Sequence, residues 1–510
     1  MTEETASPSS SEALKPKRAS RKRLKVVIII IALIPTAVAV LAFPVKNYFT
    51  EASWDKFRND WEAQGEVFDL NSLLDSPIPD EENFAKAPII EEIYRLRADE
   101  KSAAHIHAEG HDHDHAHDEP VAEAPAAAEL GRLASLSVFS DGRVIVLQAS
   151  PPIAFLTGNP VDLSIYLPAG AKETSPVAYL RDIFTPREAI IAELMEAAAR
   201  SDAYFPVNLA QPSATELSHF PALIPGIHSL RLHNLTLLES GPEFRDLAAD
   251  RLAGSLRVIR FGTDCQGLAA FSVRTLALES AGLEVVWHAL YQQSFTDAQW
   301  AKVDQELRAF EFGPRLLRTL RFERSAMVQA LENAFDAESA RPFAVPPAWV
   351  QMNGLIEYAE LTQRYWFTDA AGGRLLKDEP RLEQIAAIES IARGLEQSRE
   401  NAIVAMGILP VHDFAVRAAW IESQRDHALI SIAIERHRLA HGSLPEKLSQ
   451  LVPDWMEALP INAVTGQSPR FELIPAAVAD QPAIGYRLRT FGDHPEVEDP
   501  IWVMPVPGLQ

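Results

Sequence analysis

The residues whose types and spacing most directly suggest chemistry lie between Lys101 and Glu129. There His105, His107, His111, His113, His115 and His117, six of the chain's 15 histidines, are interleaved with Asp112, Asp114 and Asp118. Imidazoles and carboxylates are the nitrogen and oxygen donors that zinc, nickel and copper accept, and donors this closely spaced offer several interchangeable tetrahedral sets. A structural or catalytic centre needs each ligand oriented by further hydrogen bonds, which a low-complexity run followed by an Ala/Glu/Pro stretch does not supply. The chemistry expected here is capture or buffering of zinc or nickel, with a solvated loop as the plain alternative. No cofactor is required elsewhere.

The other candidates are sparser. His437 and His441 stand four apart on a helix, a spacing that puts two ligands on one face, but no HExxH accompanies them and a structural role is expected. His288, in EVVWHALY, reads as a partly buried helix residue rather than a base. Cys265, in FGTDCQG, has the type of a thiol nucleophile, yet a lone cysteine more often serves as a small buried hydrophobe. Glu279 and Glu284 fit glycosidase-like acid and base roles, although so many carboxylates make accidental pairs certain. GxSxG, GxxxxGK[ST] and GxGxxG are all absent, which removes the hydrolase elbow, the phosphate loop and the dinucleotide turn.

Composition bounds the class. The chain has 510 residues, 47% hydrophobic and 23% charged, enough for one large or two medium globular domains. A net charge of -23 argues against a nucleic-acid-binding surface, and one cysteine excludes an intramolecular disulfide and a cysteine-based zinc site.

The elements that would position these residues begin with an anchor. Val26 to Phe43 carries no charge and spans about 27 Å as a helix, close to the bilayer core. Residues 1–25 hold seven bases and three acids, leaving 40 bases and 67 acids for the rest, so the positive-inside rule keeps the leader cytoplasmic and exports the acidic body. The rival, a cleaved signal peptide ending near Ala37 and Ala39, fits less well with the long leader and with an apolar run that continues past that site. Beyond the anchor, Trp54, Phe57 and Trp61 share one face of a helix. Pro77 and Pro79 keep the next segment extended, and Asp80 is a cap for a helix before Phe84.

Ser137 to Leu147 reads as a β-hairpin turning at Asp141-Gly142. From about Pro186 to His441 helical periodicity dominates, with apolar stripes at Phe244, Leu247, Ala248 and Leu252 and at Ile421, Ala428, Ile432 and Leu439. Breaks are expected at Gly241-Pro242, Gly313-Pro314, Pro346-Pro347, Gly372-Gly373 and Pro410, which makes a packed helical array of helices of ordinary length. In the tail, Gly442 suits the left-handed end of a long helix, Pro445 the first turn of the next, and Phe471–Leu473 and Tyr486–Thr490 read as strands covering the long helix.

Arg438, Leu439, His441, Gly442, Pro445, Leu448, Leu451, Val452, Pro453, Leu459, Pro460, Gly466, Pro469, Gly485 and Gly492 follow in an order and spacing that resemble the globular tail of the major pseudopilin of type II secretion. The match covers about 80 residues of the 510. Ile461-Asn462 stands where that family has Asp-Pro, and only Asp493, Glu496, Glu498 and Asp499 represent its acidic calcium loop, so calcium is not expected. The prepilin processing site is missing from the N-terminal sequence, so the chain is not expected to be a pilin subunit. The whole arrangement is similar to uncharacterised membrane-anchored proteins of planctomycetes and verrucomicrobia, a resemblance that implies no activity.

The expected fold is mainly α: a transmembrane helix, an exported helical array and a small α+β unit. The divisions are a cytoplasmic disordered basic tail (1–25), the transmembrane helix (26–45), juxtamembrane helices and linker (46–100), the His-rich loop (101–130), the helical body (131–425) and the pseudopilin-like unit (426–510). The expected function is that of a single-pass protein of the cytoplasmic membrane with a periplasmic body, acting as a non-enzymatic scaffold or binding module. Divalent-metal capture, an accessory role in a type II secretion or pilus-like machine, and an enzyme with no residues to name are the alternatives. Membrane contact through residues 26–45 and envelope or secretion proteins are the expected partners, and nucleic acid is not.

Overall fold

The computed structural model describes residues 50–92, 139–140, 143–144, 154–167, 174–206, 219–337, 348–366, 411–461, 468–475, 484–490 and 501–506. The expected span at 26–45 and the histidines at 105–117 lie outside them, as does Gly372-Gly373. Among the described residues no helix is long and apolar enough to cross a membrane.

The chain is mainly helical, with few strands in small antiparallel sheets. Its helices are α1 (Pro176–Phe184), α2 (Glu188–Ala198), α3 (Phe220–Glu239), α4 (Arg245–Gly262), α5 (Leu268–Ala277), α6 (Glu284–Tyr291), α7 (Asp297–Arg308), α8 (Gly313–Ala337), α9 (Ala348–Trp366) and α10 (Val411–His441). A π-helical turn, Leu278–Leu283, joins α5 to α6. Two of the expected breaks are described, Gly241-Pro242 between α3 and α4 and Gly313-Pro314 at the start of α8, whereas Pro346-Pro347 and Pro410 lie outside the described residues. Thr296 starts α7 with a reciprocal capping box, its hydroxyl accepting from the Gln299 N–H while the Gln299 side chain accepts from the Thr296 N–H.

Burial departs from the expected stripes where helices are enclosed on more than one side. On α4 the buried set is Ala248, Ala249, Leu252 and Leu256, while Leu247 is exposed. On α10, Ile421, Ala428 and Ile432 are fully buried, but Leu439 lies in a last turn that projects beyond the core and is exposed. Helix α3 is buried continuously from Ser229 to Leu238, so its polar residues must find partners inside. Arg231 pairs with Glu284 and donates to the Tyr166 hydroxyl at 2.8 Å, His233 meets Glu188 at 2.8 Å, and Asn234 donates to Ser255 at 2.9 Å.

The helix over 50–62 buries Trp54, with Phe57 and Trp61 beside it, against Phe68, Val328 of α8, and Leu355 and Ala359 of α9. The aromatic face expected from spacing is thus a packed one. Past the extended segment, the cap is Asn83 rather than Asp80: its side chain accepts from the Ala85 N–H at 3.0 Å and the Tyr204 N–H at 2.9 Å. The local reason is reach, because Asn83 directly precedes the single turn Phe84–Lys86, whereas the Asp80 carbonyl accepts from Arg200. Of the expected hairpin, β1 (Phe139–Ser140) and β2 (Arg143–Val144) pair antiparallel, and Asp141-Gly142 lies outside the described residues.

At the C-terminus α10 ends at His441, and Gly442 follows at φ 77°, where a Cβ would strain the backbone. Pro445 does not open a helix, because only a four-residue 3-10 turn, Leu448–Leu451, forms after it. Strands β3 (Arg470–Ile474), β4 (Gly485–Arg489) and β5 (Ile501–Pro505) make an antiparallel meander, β5 being one strand more than expected. Tyr486, Leu488, Trp502 and Met504 belong to the same hydrophobic core that begins at Phe84. Trp502 stacks on Phe155 with centroids 5.0 Å apart, and Trp287 of α6 donates to the Val503 carbonyl at 2.8 Å. The sheet is therefore built into the body.

Candidate functional site

The residues singled out by spacing are dispersed, and each that is described has an internal partner. Glu279 pairs with Arg417 and Glu284 with Arg231, both carboxylates being buried. The π-helical turn between them adds a residue to the helical repeat and directs both carboxylates into the core, at two separate ion pairs. His288 is wholly buried, and its Nε2 lies 2.8 Å from Glu239, whose carboxyl this hydrogen bond holds below its ordinary range. His437 and His441 stack with each other at 4.5 Å and edge onto Trp455, and His437 Nδ1 meets the Ser443 carbonyl at 3.1 Å. That is the packing of a structural corner.

Cys265 sits 3.6 Å from His219 Nε2, which has the outline of a nucleophile and its base. The same nitrogen is 3.0 Å from the Gly262 carbonyl, so in the tautomer that satisfies the carbonyl it donates a proton and has no lone pair for the thiol. Burial pushes the Cys265 thiol up and pushes His219 down to about 4. The pair is packed and unreactive, as a lone cysteine in a core should be.

The described residues do converge elsewhere. A cavity of about 320 Å³ opens where the end of α4, the last turn of α5 and the first turns of α8 meet, and its wall carries Arg260, Arg274, Arg315 and Arg318 against Asp264 and Glu311. Local structure explains the convergence. Helix α4 stops at Gly262, Gly267 at φ 98° turns the chain into α5, and Gly313-Pro314 opens α8. Three helix ends are thereby brought together in a chain whose overall charge is strongly negative.

Arg315 pairs with Asp264 and donates to the Cys265 carbonyl at 2.8 Å. Arg274 donates to the Arg260 carbonyl at 2.9 Å, stands 3.9 Å from Asp264 and lies 5.1 Å over the Phe310 ring. Burial and then the neighbouring Arg315, Arg260 and Arg318 draw Arg274 down to about 9, with Asp264 opposing, so it still carries its charge at neutral pH. The Nε atoms of Arg260 and Arg274 are buried without a hydrogen-bond partner among the described residues. At the rim Arg318 pairs with Asp75 at 3.0 Å, and Arg260 stands 3.6 Å from Glu306, which it shares with Arg257. Such an arrangement can hold an anion. It contains no histidine, cysteine or serine among the residues that line it.

These arginines escape sequence reading because they lie on separate helices, each within an ordinary amphipathic stretch. The one available signal is Arg274 in FSVRTLAL, a cation set inside an otherwise apolar run. The six histidines at 105, 107, 111, 113, 115 and 117 remain outside the described residues, among which no group of three or more metal-ligating side chains occurs. Comparison with protein-family models, with curated proteins and with solved structures finds no match to this chain.

Proposed function

We propose that the protein is a single-pass, membrane-anchored envelope protein whose exported helical body is a non-enzymatic binding module. One observation carries the reading. The helix over 50–62, which follows the hydrophobic run at 26–45, is docked on α8 and α9 through Trp54, and the segment after it is tied down by the fully buried pair of Glu66 with Arg324 at 3.0 Å. The docked helix makes the body begin a few residues after the hydrophobic run, which suits a module that presents a binding surface near its anchor. The internal partners of Glu279, Glu284, His288, His437 and Cys265 favour binding over catalysis, and the arginine-lined cleft is the site that the body offers. In a fractionation experiment the full chain is expected in the membrane pellet after a carbonate wash and in the soluble fraction only with detergent. Release by the wash alone, or turnover of an envelope substrate by the purified protein, would overturn the proposal.

A second reading, an accessory of a secretion or pilus-like machine, is favoured by one feature. A long helix ending at His441 before Gly442 and covered by antiparallel strands is the arrangement that the pseudopilin-like tail leads one to expect, with β5 added to it. Cross-linking in cells should then enrich pseudopilin or secretion-channel subunits. Their absence from the cross-linked material would count against this role.

A further inference from the structure

We propose that the cleft between α4, α5 and α8 binds a phosphoryl group, as a free phosphate ester or diphosphate or as a lipid phosphate headgroup. The proposal rests on the reading of the body as a binding module but not on where the anchor places it.

The residues supply both charge and geometry. Four guanidiniums and two carboxylates, Asp264 and Glu311, line the wall, and Asp75 and Glu306 at the rim pair with Arg318 and Arg260, so an anion gains the full set of donors by displacing those rim partners. Guanidinium groups recognise phosphate and carboxylate alike by paired N–H donors. What separates the two is direction. Arg260 comes from α4, Arg274 from α5, and Arg315 and Arg318 from α8, so donors approach one space from three helices. A tetrahedral phosphoryl group spreads its oxygens over such a set, whereas a planar carboxylate can engage one or two. The cavity, about 320 Å³, is at the small end of ligand sites. The first turn of α8 also contributes Arg315 close to the positive end of a 25-residue helix.

Two further observations point to a ligand. Arg274 is almost completely buried with its nearest carboxylate, Asp264, 3.9 Å away, although burying a charged donor without a close counter-charge is costly. Burial and the crowding of like charges both weaken the hold of Arg274 on its proton. Among the described residues Asp264 is the carboxylate that Arg274 and Arg315 share, so it already occupies part of the role that an incoming anion would complete.

The test is isothermal titration of the full-length protein in detergent with inorganic pyrophosphate, with citrate as the carboxylate arm and phosphatidic acid in nanodiscs as the lipid arm. Phosphate release is followed in the pyrophosphate samples. Binding of pyrophosphate identifies a soluble ligand, and binding of phosphatidic acid alone identifies a headgroup; either supports the proposal. Arg318→Ala, at a side chain 41% exposed and therefore compatible with folding, should weaken that binding by about tenfold or more. Asp264→Asn removes the competing charge and should tighten it by at least about threefold, an effect a purely structural cluster would not give. Lys302→Ala, which removes an exposed pair with Asp250, should leave affinity unchanged. Binding of citrate but neither phosphoryl probe, or no binding of any probe, overturns the proposal. Release of phosphate would instead contradict the non-enzymatic reading of the body.

Discussion

Replacing Glu66 tests whether the segment that follows the proposed anchor is a structural part of the body. The Glu66 side chain is fully buried, with one oxygen 3.0 Å from Arg324 and the other 3.2 Å from Arg321. Arg324 is equally buried, donates to Gln363 at 2.6 Å and to the Val67 carbonyl at 2.9 Å, and lies 4.3 Å over the Phe68 ring. Glu66→Ala leaves that guanidinium charged, enclosed and without its carboxylate. Breaking a buried pair from one side costs about 3–5 kcal/mol, and because two neutral acceptors remain, the lower end, about 3 kcal/mol, is expected. This is a large part of a typical folding stability of about 5–15 kcal/mol. Replacing both partners, Glu66→Leu with Arg324→Met, removes the stranded charge, so the double variant should be more stable than Glu66→Ala. The pH profile provides a second check. Burial pushes Glu66 up, but Arg324 and Arg321 outweigh it and hold the carboxyl below its ordinary value. A lowered folded-state pKa gives stability that is complete above the unfolded value, about 4.3, and is lost as pH falls through the folded one. Glu66→Ala should therefore flatten the acid side of the stability profile. Urea unfolding of the detergent-solubilised full chain, followed by tryptophan fluorescence from pH 3 to 8, reads both effects. A loss below about 1 kcal/mol with an unchanged acid limb would refute the claim that this pair secures the anchor-side segment.

Two other perturbations reach distant parts of the chain. A Cβ at Gly485 would fall 2.4 Å from the Met504 carbonyl oxygen, so Gly485→Ala must open the β4–β5 pairing and should cost about 1–3 kcal/mol, read as a lowered Tm. At Gly442 nothing stands within 4 Å of such a Cβ and only φ 77° opposes it, so Gly442→Ala should cost less, about 1 kcal/mol. Metal capture by the histidine segment is a separate proposal: the full chain should bind zinc or nickel in a competition titration with a chromogenic chelator, and deletion of 105–117 should abolish that binding. Equal binding by the deletion variant would remove those histidines from the account.

Periodicity made the helical body legible, because breaks at Gly241-Pro242 and Gly313-Pro314 are local events governed by glycine and proline backbone geometry. The antiparallel pair β1–β2, the packed face of Trp54 and the left-handed Gly442 are equally local. Burial was less legible. Helices α3 and α10 are enclosed on several sides, so buried Arg231, His233, Asp426 and His427 sit where a single-stripe reading expects solvent or expects chemistry. Strand β5 was missed because IWVMP lies between prolines and its partner is the middle strand of a sheet seen only in three dimensions. The arginine cleft was invisible for the same reason. Its four cations belong to three helices, and no spacing in the sequence links Arg260 to Arg318.

The membrane topology is the most direct test of the central proposal, and the buried, unreactive Cys265 makes it clean. Single cysteines at Ser10 in the leader and at the exposed Glu457 in the tail would be treated, in intact cells with a permeabilised outer membrane, with a maleimide that cannot cross the cytoplasmic membrane. The account predicts labelling of Glu457→Cys, protection of Ser10→Cys until lysis, and no labelling of the unsubstituted chain. Protection of Glu457→Cys until lysis, or labelling of Ser10→Cys in intact cells, would contradict a cytoplasmic leader with an exported body.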